Sequence, residues 1–427
     1  MKKLRFLALV LLLAVLATGI AGCGKANTGG ETKNPDQSTP TESGEPQVEK
    51  IKLKIWSPND ELEITKELCE QFAKNHPEYD ITWEFEVVEN ADSITTLKND
   101  PDNGADVFVY PSGGLPEMVA AGLIYPITYD IDNIKALYGE SAIKACSKDD
   151  ILYGIPQTPN SFFMYYNKDF YNEDEVKSLE TMMAKDFGPG KHNFSFTISN
   201  SWYIESFFFA VGCTLYGPDG TDGTQCDWNN EMGFKAGKYL IDLANNPKYL
   251  EDIDGIGLSK FLEGNVGAFC SGTWNAAQIA EALGDKYAAT VLPTIKIDGK
   301  EYQLSNFADF KAYGVKSSTA HPKAAQQVAA WLAGEEAQLR RFKEINMVPT
   351  VVTLLDNPEV KANPAAVALA EMTGKYSTPQ PTTPQLSEYW APAEAFGRGI
   401  VNKEITEANL QQRLDDMVKG ITTRLAE

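Results

Sequence analysis

The sequence predicts an α/β fold built as two lobes. Residues 51–56 alternate apolar and polar side chains as a half-buried strand does, residues 64–72 have an apolar residue at every fourth position, and residues 81–88 form a second strand-like run. A strand, a helix and a strand in this order predict a βαβ unit with a parallel pair. The body from about residue 50 to residue 427 also exceeds the ~250–300 residues at which a single core stops growing.

The segments that follow extend this pattern and locate a candidate site. Residues 105–110 form a third strand-like run that stops at a Pro-Ser-Gly-Gly break, and helices are predicted at 322–333 and 404–424. In open α/β sheets, ligands bind outside the carboxyl ends of the strands. We therefore expect the loops at 57–61 and 110–114 to border a ligand site.

The N-terminus has the layout of a secretory signal. A charged start precedes an apolar run at 6–16, and Ile20, Ala21 and Gly22 come directly before Cys23. The run is short of the ~20 apolar residues that a membrane span needs. The ending resembles the lipobox of bacterial lipoproteins, which implies a signal peptide at 1–22 and a lipid on Cys23. An uncleaved anchor helix and an ordinary signal with a chance cysteine are the alternatives.

The segment at 23–49 is predicted to be a disordered tether. It consists almost wholly of Gly, Ser, Thr, Pro, amides and charged residues. Such a segment cannot bury enough apolar surface to offset the entropy lost on ordering.

The composition and the absence of several motifs exclude some classes of function. The chain is 43% hydrophobic and 23% charged, which is typical of a globular protein, and its formal net charge of −21 argues against nucleic acid as a partner. Only three histidines are present, with no C-x-x-C, H-E-x-x-H or G-x-S-x-G motif. We therefore predict no catalytic residue, no metal and no cofactor. With 59 carboxylates a glycosidase pair could arise, so a surface glycoside hydrolase stays an alternative.

Two cysteines could be joined. Cys213 and Cys226 flank a turn-rich segment at 217–223, and a hairpin there could bring them together. A location at the cell surface would permit a disulfide, whereas in a reducing compartment the two cysteines would remain thiols.

Three tryptophans stand at breaks in the pattern rather than within apolar runs. Trp202, Trp274 and Trp390 each have polar or turn-forming neighbours. Such a residue either presents a flat apolar face to a cleft or covers the edge of a core. A sugar has apolar C–H faces and a rim of hydroxyls, so aromatic platforms together with Asp60 and Asn160 are the ingredients of a carbohydrate site.

Several short motifs, in order along the chain, indicate a family. They are the run at 54–56 with Asp60, a G-x-D-hydrophobic segment at 104–108, the P…YNKD residues at 156–169, F-x-x-G-x-x-G-A-F…G-x-W at 261–274, and the segments at 291–293, 348–350 and 384–390. From about residue 50 onward the chain resembles bacterial extracellular solute-binding proteins of carbohydrate ABC importers, most closely the maltose/maltodextrin-binding proteins.

That resemblance implies a type II periplasmic-binding-protein-like fold with several hinge crossings. The N-terminal lobe would comprise 50–157 and 294–347, and the C-terminal lobe 158–293 and 348–427 with the C-terminal helices. Ligand contacts would come from Asp60, Tyr110, Asn160, Trp202, Tyr203, Trp274 and Trp390. Tyr110 stands where the family has a tryptophan, Asn160 replaces a glutamate, and Glu61 occupies a lysine position.

The function implied by the resemblance is capture of α-glucan oligosaccharides between the lobes and their delivery to the subunits of an ABC permease. The protein would be a monomer on the extracellular face of the bacterial cell membrane, held there by the lipid on Cys23. Besides the hydrolase, the alternatives are the same fold with a β-linked or non-glucose oligosaccharide and an adhesive glycan-binding lipoprotein without a permease.

Overall fold

The computed structural model describes residues 48–381 and 383–423. The predictions for Cys23, for the signal peptide and for nearly all of the tether lie outside these ranges. Within them, no helix combines the length and the apolar character that crossing a membrane requires.

Strands and helices alternate through most of the described chain. The strands are β1 (Glu49–Ser57), β2 (Tyr79–Val87), β3 (Val107–Pro111), β4 (Ser147–Lys148), β5 (Ile151–Leu152), β6 (Gly154–Pro159), β7 (Phe163–Asn167), β8 (His192–Phe196), β9 (Tyr249–Glu251), β10 (Val266–Ser271), β11 (Tyr287–Thr290), β12 (Thr294–Ile297), β13 (Lys300–Gln303), β14 (Phe307–Ala308), β15 (Phe310–Val315) and β16 (Thr378–Pro379). The helices are α1 (Leu62–Asn75), α2 (Ser93–Asn99), α3 (Leu115–Ala120), α4 (Ile131–Leu137), α5 (Glu140–Ala145), α6 (Leu179–Ala184), α7 (Ser201–Ala210), α8 (Glu231–Ala244), α9 (Ile256–Leu262), α10 (Ala276–Leu283), α11 (Pro322–Ala333), α12 (Glu335–Ile345), α13 (Val352–Leu355), α14 (Pro358–Ala362), α15 (Pro364–Glu371), α16 (Trp390–Val401) and α17 (Leu410–Thr422).

The first lobe is built on a five-stranded sheet in the order β2-β1-β3-β15-β6. Strands β1 and β2 pair in parallel on either side of α1, which confirms the predicted βαβ unit. Strand β15 lies antiparallel between β3 and β6, so a strand from late in the chain completes the sheet. The side chains of Leu53, Ile55, Val107 and Phe108 are buried on this sheet and fill the core of the lobe.

The second lobe is built on another five-stranded mixed sheet, in the order β11-β7-β10-β8-β9. Its core is rich in aromatic residues, with Phe162, Tyr165, Phe194, Phe207 and Trp228 among the fully buried side chains. Helices α7, α8, α16 and α17 pack on one another in this lobe. The two mixed sheets agree with the predicted α/β fold in two lobes.

The chain passes between the lobes more than once. It leaves the first sheet at the end of β6, crosses at Asn160 and enters the second sheet at β7. It returns at Asp309, between β14 and β15. After α12 it passes again, because Val348 packs in the second core whereas Val351 packs in the first.

The lobe boundary differs from the sequence-based one around the β12–β13 hairpin. Ile295, Ile297, Leu304 and Phe307 all pack in the second core, whereas the sequence assigned 294–347 to the first lobe. Because Phe310 and the residues that follow it pack in the first core, the chain changes lobe near residue 309 rather than near 294. The α11 bounds match the prediction, and α17 begins six residues later than the predicted 404.

Candidate functional site

Two adjoining cavities open between the residues of the two lobes. The larger is bordered by Pro111 and Gly113 from the first lobe and by Trp202 and Trp390 from the second. The smaller is bordered by Asp60 from the first lobe and Trp274 from the second. Asn160 lines both cavities, so they form one cleft with Asn160 at the junction.

Trp202 and Trp390 form the aromatic wall of the larger cavity. Their ring centroids are 6.0 Å apart and their planes are inclined by 31°. Trp202 is in the first turn of α7, where the Asn200 side chain accepts a hydrogen bond of 2.8 Å from its backbone N–H and so fixes the start of the helix. Both rings also pack on Phe307, at centroid distances of 5.8 and 6.2 Å, which holds them at the edge of the second core.

Trp274 forms an aromatic surface in the smaller cavity. It follows β10 in a short 3-10 turn, and 43% of its surface is exposed. Gly272 allows this position, because a Cβ atom there would lie 2.0 Å from the Trp274 ring. Of the three tryptophans that the sequence set apart, Trp202 and Trp390 line one cavity while also packing on the edge of the second core, and Trp274 lines the other cavity.

The smaller cavity has an acidic rim. Asp60 is exposed at its edge, and Glu89, Asn90 and Lys311 also line it. Glu61 lines it too, but that carboxylate is buried and pairs with Arg341 inside the first lobe. Carboxylates and amides at the edge of an aromatic surface can accept hydrogen bonds from hydroxyl groups.

Asp309 provides a polar group that sequence reasoning missed. It is fully buried yet lines the larger cavity. Its Oδ1 accepts hydrogen bonds from the Ser112 hydroxyl at 2.5 Å and the Gly113 N–H at 3.1 Å, and its Oδ2 accepts one from the Asn160 amide at 2.5 Å. Burial raises the pKa of this carboxyl, while the three donors act in the opposite direction. A single carboxylate inside the apolar run at 307–310 was the available signal, since such groups are almost never fully buried without partners.

Two residues implied by the resemblance do not reach the cleft. Tyr110 is fully buried in the first core and lines neither cavity, because β3 directs it into the lobe and only the following Pro111 borders the opening. Burial raises the pKa of its hydroxyl well above the ordinary value. Tyr203 packs on Phe162 and Phe196, at centroid distances of 4.5 and 5.6 Å, and it also lines neither cavity.

Cys213 and Cys226 are free thiols in the structure, so the disulfide considered from the sequence is not formed. An isolated antiparallel bridge pairs Cys226 with Leu215 rather than with Cys213. The Cys213 thiol instead donates to Asn230 Oδ1 at 3.7 Å.

A profile of a known family matches most of this body. The family, described as bacterial extracellular solute-binding protein, matches residues 67–368, which is more than half of the chain. The chain belongs to this family. It is therefore a solute-binding protein and not an enzyme, as predicted. Within the described ranges, no group of three or more His, Cys, Asp or Glu side chains is placed to hold a metal ion.

Relatives of this solute-binding protein cover nearly its whole length. A galactooligosaccharide-binding protein of Bacillus subtilis is 28% identical over 98% of both chains. The maltodextrin-binding protein MdxE of the same organism is 23% identical over 98% of this chain and 97% of its own.

Solved structures agree with the two-lobed fold. A structure solved with acarbose is 33% identical, has a TM-score of 0.82 and covers 87% of this chain and 99% of its own. The maltodextrin-binding protein MalE1 of L. casei, solved without ligand, is 25% identical, with a TM-score of 0.78 over 88% of this chain and 100% of its own.

Proposed function

We propose that this solute-binding protein captures a short α-glucan oligosaccharide in the cleft and delivers it to an ABC permease. The observation that carries the proposal is the Trp202–Trp390 pair, at 6.0 Å and 31°, on the same cavity as Asn160 and Asp309. Aromatic faces would cover the C–H surfaces of the sugar rings, while the amide would bond a hydroxyl on the rim. The inclined platforms suit a chain that curves from one ring to the next, as an α-(1→4)-linked glucan does.

The smaller cavity would extend this site. With Trp274 and Asp60 it offers a further aromatic face and a further acceptor, separated from the tryptophan pair by Asn160. A disaccharide would occupy the larger cavity, and a longer chain would pass Asn160 and reach Trp274. The ligand set that we propose is therefore Asp60, Asn160, Trp202, Trp274 and Trp390, without Tyr110 and Tyr203.

Delivery would depend on closure of the lobes. A ligand that contacts both lobes favours the closed state by its differential affinity for that state. The crossings at Asn160 and Asp309 are where the chain would bend. A permease that recognises the closed form would then receive only loaded protein.

A galactooligosaccharide is the second candidate ligand. It is favoured by the Bacillus subtilis galactooligosaccharide-binding protein, which is 28% identical over almost the whole chain. In support of α-glucans, the names of several relatives and solved structures include maltodextrin or maltose, among them a cyclo/maltodextrin-binding protein solved with maltotetraose at 25% identity.

The test is calorimetry of the mature protein with maltose, maltotetraose, β-(1→4)-galactobiose and β-(1→4)-galactotetraose. We expect maltotetraose to bind and to raise the melting temperature, and the galactosides to be weaker. Trp274→Ala should lower the affinity for maltotetraose more than the affinity for maltose.

Tighter binding of the galactosides would move the assignment to the second candidate, and binding of neither series would refute the oligosaccharide proposal. New reducing ends after incubation would contradict a pure binding function.

We also propose a lipid anchor on Cys23, which would keep the binding protein near its permease. Support comes from the lipobox-like ending and from two Streptococcus pneumoniae relatives named as solute-binding lipoproteins, each 24% identical over 70% of this chain. Labelling cells with an alkyne fatty acid should tag the full-length protein. Cys23→Ala should abolish the tag and move the protein from the membrane fraction to the medium, whereas an unchanged tag would contradict the anchor.

A further inference from the structure

Asp309 and Asn160 are joined where the chain crosses between the lobes. Asn160 is on the crossing from β6 to β7, and Asp309 is on the return crossing from β14 to β15. The backbone N–H of Asn160 donates to the carbonyl oxygen of Asp309 at 2.8 Å, and the side-chain amide donates to Asp309 Oδ2 at 2.5 Å. The pair is therefore held together by two hydrogen bonds at the junction of the two cavities.

One oxygen of Asp309 is committed to acting as an acceptor. The Ser112 hydroxyl accepts a hydrogen bond of 3.2 Å from the Phe310 N–H, so its own proton is directed to Asp309 Oδ1. The Gly113 N–H donates to the same oxygen at 3.1 Å. Because a backbone N–H can only donate, whatever side chain stands at position 309 must present an acceptor to this side.

The other oxygen of Asp309 sets the orientation of the Asn160 amide. A carboxylate can only accept, so Asn160 must turn Nδ2 toward it. The amide oxygen of Asn160 then faces away from Asp309 and accepts no hydrogen bond from the described residues. Because Asn160 lines both cavities, that oxygen is the group available to a ligand.

We propose that Asp309 is a positioning residue that makes Asn160 a hydrogen-bond acceptor in the cleft. The site then selects a ligand that places a hydroxyl proton beside Asn160, and it disfavours a ligand with only an acceptor there. This inference rests on the proposed oligosaccharide-binding function and identifies a residue that acts on the ligand through its neighbour.

This chain of hydrogen bonds predicts opposite effects for a single variant and for a double variant that exchanges the two residues. In Asp309→Asn, the new amide must keep its oxygen toward Ser112 and Gly113, so its NH₂ group faces Asn160. Asn160 must then rotate its amide and present Nδ2 to the cleft, which reverses the polarity seen by the ligand. In the exchange variant Asn160→Asp with Asp309→Asn, the amide at 309 donates to the carboxylate at 160, and the cleft again contains an acceptor.

The binding experiment uses calorimetry with maltotetraose and with galactotetraose. Asp309→Asn is expected to lower the affinity for the bound sugar by about tenfold or more, which is typical of a lost or mismatched buried hydrogen bond. The exchange variant should recover most of that loss. Asp227→Asn is the matched control, because Asp227 accepts from the Thr214 backbone N–H at 2.6 Å and lines neither cavity of the cleft. Equal losses in the single and exchange variants, at equal melting temperatures, would overturn the proposal.

A second measurement needs no ligand. In the NMR spectrum of the free protein, the Asn160 side-chain NH₂ should exchange slowly with solvent, because one proton is bonded to a buried carboxylate. In Asp309→Asn, slow exchange should pass to the amide at position 309. Fast exchange of the Asn160 amide in the unaltered protein would refute the proposal even if no sugar binds, whereas absence of binding with slow exchange would count against the oligosaccharide function alone.

Discussion

Arg341 Nε lies 3.1 Å from Glu61 Oε2, and neither side chain is more than 2% exposed. The Arg341 guanidinium also donates to the Tyr313 hydroxyl at 2.6 Å and the Leu332 carbonyl at 2.7 Å, and Gln157 donates to Glu61 at 2.7 Å. This ion pair lies directly behind the smaller cavity. Glu61, in the loop after β1, thus anchors α12 through Arg341.

Glu61→Leu is expected to lower the free energy of unfolding by about 3–5 kcal/mol, because it leaves the Arg341 charge buried without a partner. Denaturant unfolding followed by circular dichroism measures the change. Glu67→Gln is the control, since Glu67 pairs with Arg340 at an exposed position where an ion pair contributes at most about 1 kcal/mol. Equal shifts in the two variants would contradict a structural role for the buried pair.

Trp202→Ala and Trp390→Ala are each expected to lower the affinity for the proposed ligand by at least about tenfold, because each removes one of two adjoining aromatic faces. Their combined effect should fall short of the sum, since the rings contact each other and share Phe307. Calorimetry supplies both values. Trp83→Phe, on β2 and outside both cavities, should bind like the unaltered protein; a loss there of similar size would point to general destabilisation.

The thiols at Cys213 and Cys226 are expected to be unreactive while the protein is folded. Burial raises the pKa of each to about 12, so at pH 8 only about 1 in 10⁴ is the reactive thiolate. A colorimetric thiol reagent should modify both only after denaturation. Alkylation in denaturant without reductant, followed by mass spectrometry, should find both cysteines modified; two unmodified cysteines would reveal a disulfide.

Glu205→Gln is expected to stabilise the protein at neutral pH. Glu205 is fully buried in α7, no cation pairs with it among the described residues, and burial raises its pKa well above the ordinary value. The unfolded chain loses this proton near about pH 4.3, so the stability that Glu205 contributes is complete below that pH and falls as the pH rises toward the folded pKa.

The difference in melting temperature between Glu205→Gln and the unaltered protein should therefore be positive at pH 7.5 and small at pH 4. Thermal melts over this range, with the exposed Glu281→Gln as a control, check the sign. A difference in melting temperature that does not change with pH would show that Glu205 has the same pKa in the folded and the unfolded chain.

Two of the residues expected at the cleft show what the sequence patterns could predict and what they could not. Trp274 was identifiable because a tryptophan between Thr and Asn, after a glycine, has no place in an apolar pattern. Tyr110, which the resemblance implied for the cleft, lies in the first core, and the sequence could not show this because β3 is buried on both faces. A strand of that kind shows no alternation from which the direction of a side chain could be deduced.

The partners of Asp309 could not be assigned from the sequence for a different reason. Its partners Ser112, Gly113 and Asn160 are 149 or more residues away along the chain. Only the crossing of two segments between the lobes brings them together, and local patterns contain no information on such distant pairs. Local periodicity and chain length were enough to predict the fold class. The hydrogen bonds of Asp309 depend on how the chain crosses between the lobes, which those patterns do not describe.

The position of β15 has a consequence for how the protein is made. The first-lobe sheet stays incomplete until residue 315 has emerged, because β15 separates β3 from β6. The segment that forms the second-lobe sheet is synthesised in between. Strands β3 and β6 therefore cannot pair with β15 until it has been synthesised, more than 140 residues after β6. Closing such a long loop slows folding. The first lobe is therefore expected to complete its sheet only after the segment that forms the second-lobe sheet has been synthesised.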